Sequence, residues 1–240
     1  MRVQGAISFR SLDDEAVGPG SLAEHLETFG VALFFDATRE SLAAYMASWT
    51  VLFHHPHATP DGLTVLQPGG GTDGTGFSRA AIGPHTDRAQ IADPPAVVAV
   101  LVERPAEFGG ESLLVDVASD RELLSLALQS PQRLVLRDAE DHRHPVVEQH
   151  GGRVRVRYRD DALARPVAVN DAGEVVLSRI HALAMTPRLL RVGAGCGYVL
   201  HNHRVLHGRT KFTGQRTVVR LLANVAPTHP LKRLNDGFTL

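Results

Sequence analysis

The chain has 240 residues, 43% hydrophobic and 21% charged, and its 25 Lys+Arg and 26 Asp+Glu leave a formal net charge of −1. That balance, with no basic run, excludes the electrostatic footprint of a nucleic-acid or membrane-surface binder. The single cysteine, Cys196, excludes an internal disulfide and a thiolate zinc site, and in "GAGCGY" it reads as a small packed hydrophobe. No apolar run is long enough to span a membrane and the N-terminal stretch has no apolar signal core, so a cytoplasmic protein is expected.

Ser21 and Glu24 fit a capping box ahead of Leu22, Leu26 and Phe29, which predicts a first helix. Leu42, Tyr45, Met46 and Trp49 repeat the helical spacing. "GGGTDG" at 69–74 matches a dinucleotide fingerprint through Gly69, Gly71 and Gly74. That fingerprint requires a helix at once, whereas the following segment is broken by Gly83 and Pro84. A glycine-rich loop covering a site, near 68–84, is expected instead. Strands are predicted over 96–103, 111–117, 152–158, 197–201 and 216–225, each bounded by Gly, Pro, Asp or Asn. A third helix is predicted from Ser119, with Glu122 three residues on, to Pro131. The pattern implies a mainly β fold with flanking helices, as one domain over residues 1–240.

"IGPHTDRAQI" places His85 and Asp87 two positions apart, on one side of an extended segment. In "HNHRVLHGRTKF", His207 follows an apolar pair and precedes a glycine, so it is expected at a strand end. Two neutral imidazoles and a carboxylate on one face of a metal leave three positions open, the donor set of non-haem Fe(II) oxygenases. The competing reading groups His201, His203 and His207 as a three-histidine zinc site, but leaves His85 and Asp87 unexplained. His54, His55 and His57 have no regular carboxylate partner and read as a polar loop, and His142 and His144 as a solvated connection.

"PHTD", then "GGESLLVD" beginning 22 residues after Asp87, then "HNHRVLHGRT" and a later strand arginine stand in an order with a precedent. This region, roughly 80–225, resembles the taurine dioxygenase-like (TauD/TfdA) superfamily of Fe(II)/2-oxoglutarate oxygenases, in its clavaminate synthase and γ-butyrobetaine hydroxylase branch. The resemblance implies a double-stranded β-helix, a jelly-roll and cupin relative. It implies that His85, Asp87 and His207 bind iron and form the catalytic centre. Ser112 falls on the family's threonine at the far carboxylate of 2-oxoglutarate, where a hydroxyl donates the same bond. Arg220 is the expected bidentate partner of that carboxylate, and Arg216 is its rival or a substrate ligand. Arg88, Gln90 and Asp93 follow the motif as candidates to reach the substrate. The implied reaction couples O2 and 2-oxoglutarate, decarboxylated to succinate, to oxidation of a C–H bond, most simply hydroxylation. The substrate expected is a small molecule, an amino acid or derivative, free or carrier-bound. Asp87 excludes a halogenase, since those lack the carboxylate. The alternative is a non-catalytic or zinc-dependent cupin-like protein using His201, His203 and His207.

Overall fold

A computed structural model describes residues 8–10, 22–69 and 74–240. Every predicted strand is present, and the Val97–Arg104 strand shows why its sequence is a continuous apolar run. It is central in a seven-stranded antiparallel sheet and buried on both faces. Val97, Ala99 and Leu101 face one core, and Val98, Val100 and Val102 face another. Strand neighbours run Ser8–Arg10, Val31–Phe35, Cys196–His201, Val97–Arg104, Thr217–Val225 and Thr50–Leu52, with Leu63–Leu66 also on Thr217–Val225. Helices α1 (Leu22–Thr28) and α2 (Arg39–Ala47) cover the outer face through Leu26, Leu42 and Met46.

The second sheet, in the order Arg188–Leu190, Ser112–Asp116, Val205–Arg209 and Ile82–His85, is also antiparallel. Its Leu114 and Val205 meet Val98, Val100, Tyr198 and Val218 of the first sheet in one apolar cluster. Behind it, α3 (Arg121–Gln129) and α4 (Asp171–Ala184) bury Leu123, Leu124, Val176 and Ile180 against Val115 and Leu206. Two facing antiparallel sheets with helices outside make the double-stranded β-helix that the resemblance implied.

The helix ends correct the sequence reading in detail. Asp120, not Ser119, caps α3 by accepting from the Leu123 N–H, because Ser119 lies in a preceding 3-10 turn. The Ser21 cap lies outside the described residues, as do Gly70–Asp73 of the glycine-rich loop. Helix α4 was not predicted. Asn170 caps it, and Gly173 sits in its first turn because a Cβ there would lie 2.1 Å from the Arg133 carbonyl oxygen. No described helix is long and apolar enough to cross a membrane.

Candidate metal centre

His207 lies in the middle of the Val205–Arg209 strand, opposite His85 on one side and Leu114 on the other. The strand end expected after His207 is absent, and Gly208 has a different role. A Cβ at Gly208 would lie 2.3 Å from the Ile82 carbonyl oxygen, so glycine allows the His85 strand to approach. The His85 and His207 ring centroids are 4.7 Å apart as a result. Strand periodicity does not place Asp87, because the strand ends at His85 and Arg88 takes a left-handed φ of 58°. Asn202 holds it instead. Its Oδ1 accepts from the Asp87 N–H at 2.8 Å, and its Nδ2 donates to the Asp87 and Pro95 carbonyls at 3.0 and 2.8 Å.

All three side chains are buried, with ligand atoms within 4.8 Å of one another. His85 Nδ1 is 2.9 Å from the Gly83 carbonyl, which can only accept, so Nε2 keeps the lone pair for a metal. His207 Nε2 stands 3.2 Å from Asp87 Oδ2, yet that buried oxygen accepts no hydrogen bond, and His207 Nδ1 is buried without a partner. An unsatisfied buried carboxylate oxygen is costly, and a cation held by the three groups satisfies it. Burial alone would raise the Asp87 carboxyl, but the Arg220 guanidinium and His207 hold it well below the usual carboxylate range. Burial, reinforced by His207, pushes His85 down to about 3, which leaves the neutral imidazole that ligates metals.

The triad opens on a cavity of about 340 Å³ also lined by Ser112, Tyr198, Arg216, Arg88 and Gln90. Ser112 is buried beside the Tyr198 hydroxyl, whose pKa burial raises. Arg216 is buried with no acidic partner among the described residues, and its guanidinium lies 5.6 Å from the Phe212 ring centroid. Arg220, the arginine expected at the far carboxylate of 2-oxoglutarate, is already engaged. Its Nη1 donates to Asp87 Oδ1 at 2.7 Å, and its Nη2 is 3.4 Å from His55 Nε2. Asp93 does not line the cavity and pairs with Arg155 at 3.5 Å.

The reading of His55 and His57 as a plain polar loop is corrected, since both line the cavity. Nothing in their own spacing signals this. They enter because the Thr50–Leu52 and Leu63–Leu66 strands on either side both pair with the strand of Arg220. Arg159 and Arg209 were also missed. Arg159 pairs with Asp161 at 2.8 Å, and Arg209 donates to the Thr75, Ser78 and Ala80 carbonyls. The three-histidine grouping does not form. His201 Nε2 is 2.9 Å from the Leu234 carbonyl, and its ring faces His203 at 5.8 Å, with neither residue lining the cavity.

No curated protein sequence matches this chain. Solved structures of similar fold include an asparagine oxygenase, with 20% identity and a TM-score of 0.55 over 67% of this chain and 55% of that one. The PvcB protein from Pseudomonas aeruginosa aligns at 19% identity and a TM-score of 0.56, over 78% and 72% of the two chains. The non-heme iron oxygenase OrfP, in complex with Fe and alpha-ketoglutaric acid, aligns at 16% identity and a TM-score of 0.60, over 75% and 62%. The chain thus spans little more than half the length of the asparagine oxygenase. The family profile for taurine catabolism dioxygenases matches residues 3–222, a longer span than the 80–225 that the motifs suggested. Since that match takes in most of both sheets together with His85, Asp87 and His207, the chain belongs to the TauD, TfdA family of dioxygenases.

Proposed function

We propose that this chain is an Fe(II)- and 2-oxoglutarate-dependent dioxygenase that oxidises, most simply by hydroxylation, a C–H bond of a small amino-acid-derived molecule. The observation that carries this reading is the buried carboxylate oxygen of Asp87, unpaired between two imidazoles at the wall of a cavity. His85, Asp87 and His207 hold the iron. Bound there with 2-oxoglutarate and O2, iron supplies an oxidative decarboxylation to succinate and CO2 coupled to C–H oxidation.

Each remaining role falls to a residue of this chain. Arg216 is buried without an acid and shares the cavity with Ser112 and Tyr198, which favours it over Arg220 for the far carboxylate. A buried guanidinium needs an anionic partner, and Arg220 already has one. Arg220 therefore orients Asp87 and keeps it ionised, while its remaining N–H groups stay available to a substrate carboxylate. Arg88 and Gln90 reach the substrate. Amino-acid-derived substrates are supported by the similar structures, one of which holds 3-hydroxyasparagine and succinate and another (3S)-hydroxy-L-Arg.

The test is direct. Purified protein given Fe(II) and 2-oxoglutarate without oxygen should develop a weak visible charge-transfer band. Admitting oxygen should then yield succinate, stimulated by the right amino-acid derivative. No band and no succinate would remove the oxygenase reading.

A further inference from the structure

The cavity carries a charge imbalance that iron and 2-oxoglutarate do not remove. Around it the described residues place five guanidiniums, of Arg88, Arg159, Arg209, Arg216 and Arg220, and one carboxylate, Asp87. Arg159 is neutralised from outside by Asp161. Arg209 donates to backbone carbonyls, which satisfy its hydrogen bonds but not its charge. Iron(II) with Asp87 and one 2-oxoglutarate carboxylate sums to zero, and the other carboxylate cancels Arg216. Arg220 then shares its only acid, Asp87, with the metal. Arg88 has no acid at all among the described residues, and its Nε is buried without a partner.

That leaves Arg88, Arg209 and Arg220 without a cancelling charge. Since the N–H groups of Arg209 are taken up by backbone carbonyls, Arg88 and Arg220 are the two with donors free for whatever is oxidised. A cleft lined by one sign of charge concentrates the opposite ion, and the Nε groups of the half-buried Arg88 and Arg220, each buried without a partner, call for an acceptor. A free ammonium fares badly in the same place. Asp87, the one lining carboxylate among the described residues, already serves Arg220 and the metal. Gln90 offers a different acceptor, a buried side-chain oxygen with no partner, suited to a neutral N–H.

We propose that the substrate of this site is a dianion, an amino-acid derivative bearing two acid groups and an acylated amine. Arg88 and Arg220 pair with the two acids, and Gln90 accepts the amide N–H. This rests on the oxygenase reading and separates the chain from similar structures named for asparagine or holding hydroxy-L-Arg.

The test uses N-acetyl-L-glutamate against three matched probes: N-acetyl-L-glutamine, L-glutamate and L-arginine. Binding is read without oxygen by perturbation of the charge-transfer band, and separately by calorimetry on the metal-free protein with 2-oxoglutarate present. N-acetyl-L-glutamate should bind roughly tenfold or more tighter than each other probe, about 1.4 kcal/mol or more. Arg88→Gln should erase most of its advantage over N-acetyl-L-glutamine and change the affinity for the latter little. Glutamate or arginine binding as tightly as the acylated dianion, or no binding of that dianion, overturns the proposal. A missing band with the calorimetric ranking intact overturns the oxygenase reading and leaves the charge assignment standing.

Discussion

Two pairs of buried histidines lie close together in this fold and have opposite fates. His85 and His207 face each other across paired strands, open on a cavity and share an unpaired carboxylate oxygen. His201 and His203 also face each other, at 5.8 Å, but among Phe238 and the Leu234 carbonyl, with no carboxylate between them. Burial is the main influence lowering the pKa of His85, His201 and His203 alike, so depth alone does not mark a ligand. What separates the pairs is Asp87, a cavity-lining carboxylate whose buried Oδ2 accepts no hydrogen bond. Asn202, between the second pair in sequence, grips the Asp87 backbone and so ties the structural pair to the proposed metal ligands.

The comparison breaks most visibly at the metal. Asp87→Ala should lower affinity for Co(II), read from its d–d absorption, by more than roughly 100-fold, since even outer-shell substitutions cost about 10–100-fold. His203→Ala should lose stability and keep the metal. The reverse pattern would exchange the roles of the pairs. Next in size is the anion arm. Arg216→Ala should raise the apparent Michaelis constant for 2-oxoglutarate by the worth of a charge-assisted pair, about 2–5 kcal/mol. Ser112→Ala should cost about 0.5–3 kcal/mol on the same constant, the range from a neutral bond to one with a charged acceptor. Arg220→Ala should weaken metal binding more than 2-oxoglutarate binding. If it instead weakens 2-oxoglutarate and Arg216→Ala spares it, the assignment made from spacing stands.

Asn202 sharpens the comparison because it belongs to both regions. Asn202→Ala strips the Asp87 N–H of its acceptor and two buried carbonyls of a donor. Each unsatisfied group costs about 1–3 kcal/mol, so the midpoint of urea unfolding should fall together with metal affinity. Loss of stability with unchanged metal affinity would show that the Asp87 turn holds itself.

The sequence carried the H-x-D pair, the distant His207 and the strands, because period, turn residues and motif order are local signals. It did not carry which arginine is free. Arg216 and Arg220 lie four residues apart, and the acid that occupies Arg220 comes from a turn 133 residues earlier. Helix α4 was hidden by Gly173 and by Val175, Val176 and Ile180, which lower helix propensity where tertiary packing decides the outcome. His55 and His57 were hidden because their loop is brought in by strand pairing.

The smallest effect concerns proton uptake by the structural pair. Burial lowers His201 from 6.5 to about 3 and drives His203 well below 6.5. An unfolded chain binds protons at these sites below about 6.5, whereas the folded chain refuses them until far lower pH. Unfolding is therefore favoured as pH falls, and the stability from keeping the two residues neutral is complete above about 6.5 and lost progressively below it. The slope is at most about 1.4 kcal/mol per pH unit for each histidine. His85 adds a similar slope in metal-free protein, so the wild-type curve alone does not separate the two regions. His203→Leu does. In metal-free protein, urea unfolding at several values between pH 6.5 and 4 should give a shallower slope for the variant, by up to one proton. Parallel curves would mean that His203 takes up its proton while folded, and that the second pair is not the dry structural element contrasted with the metal centre.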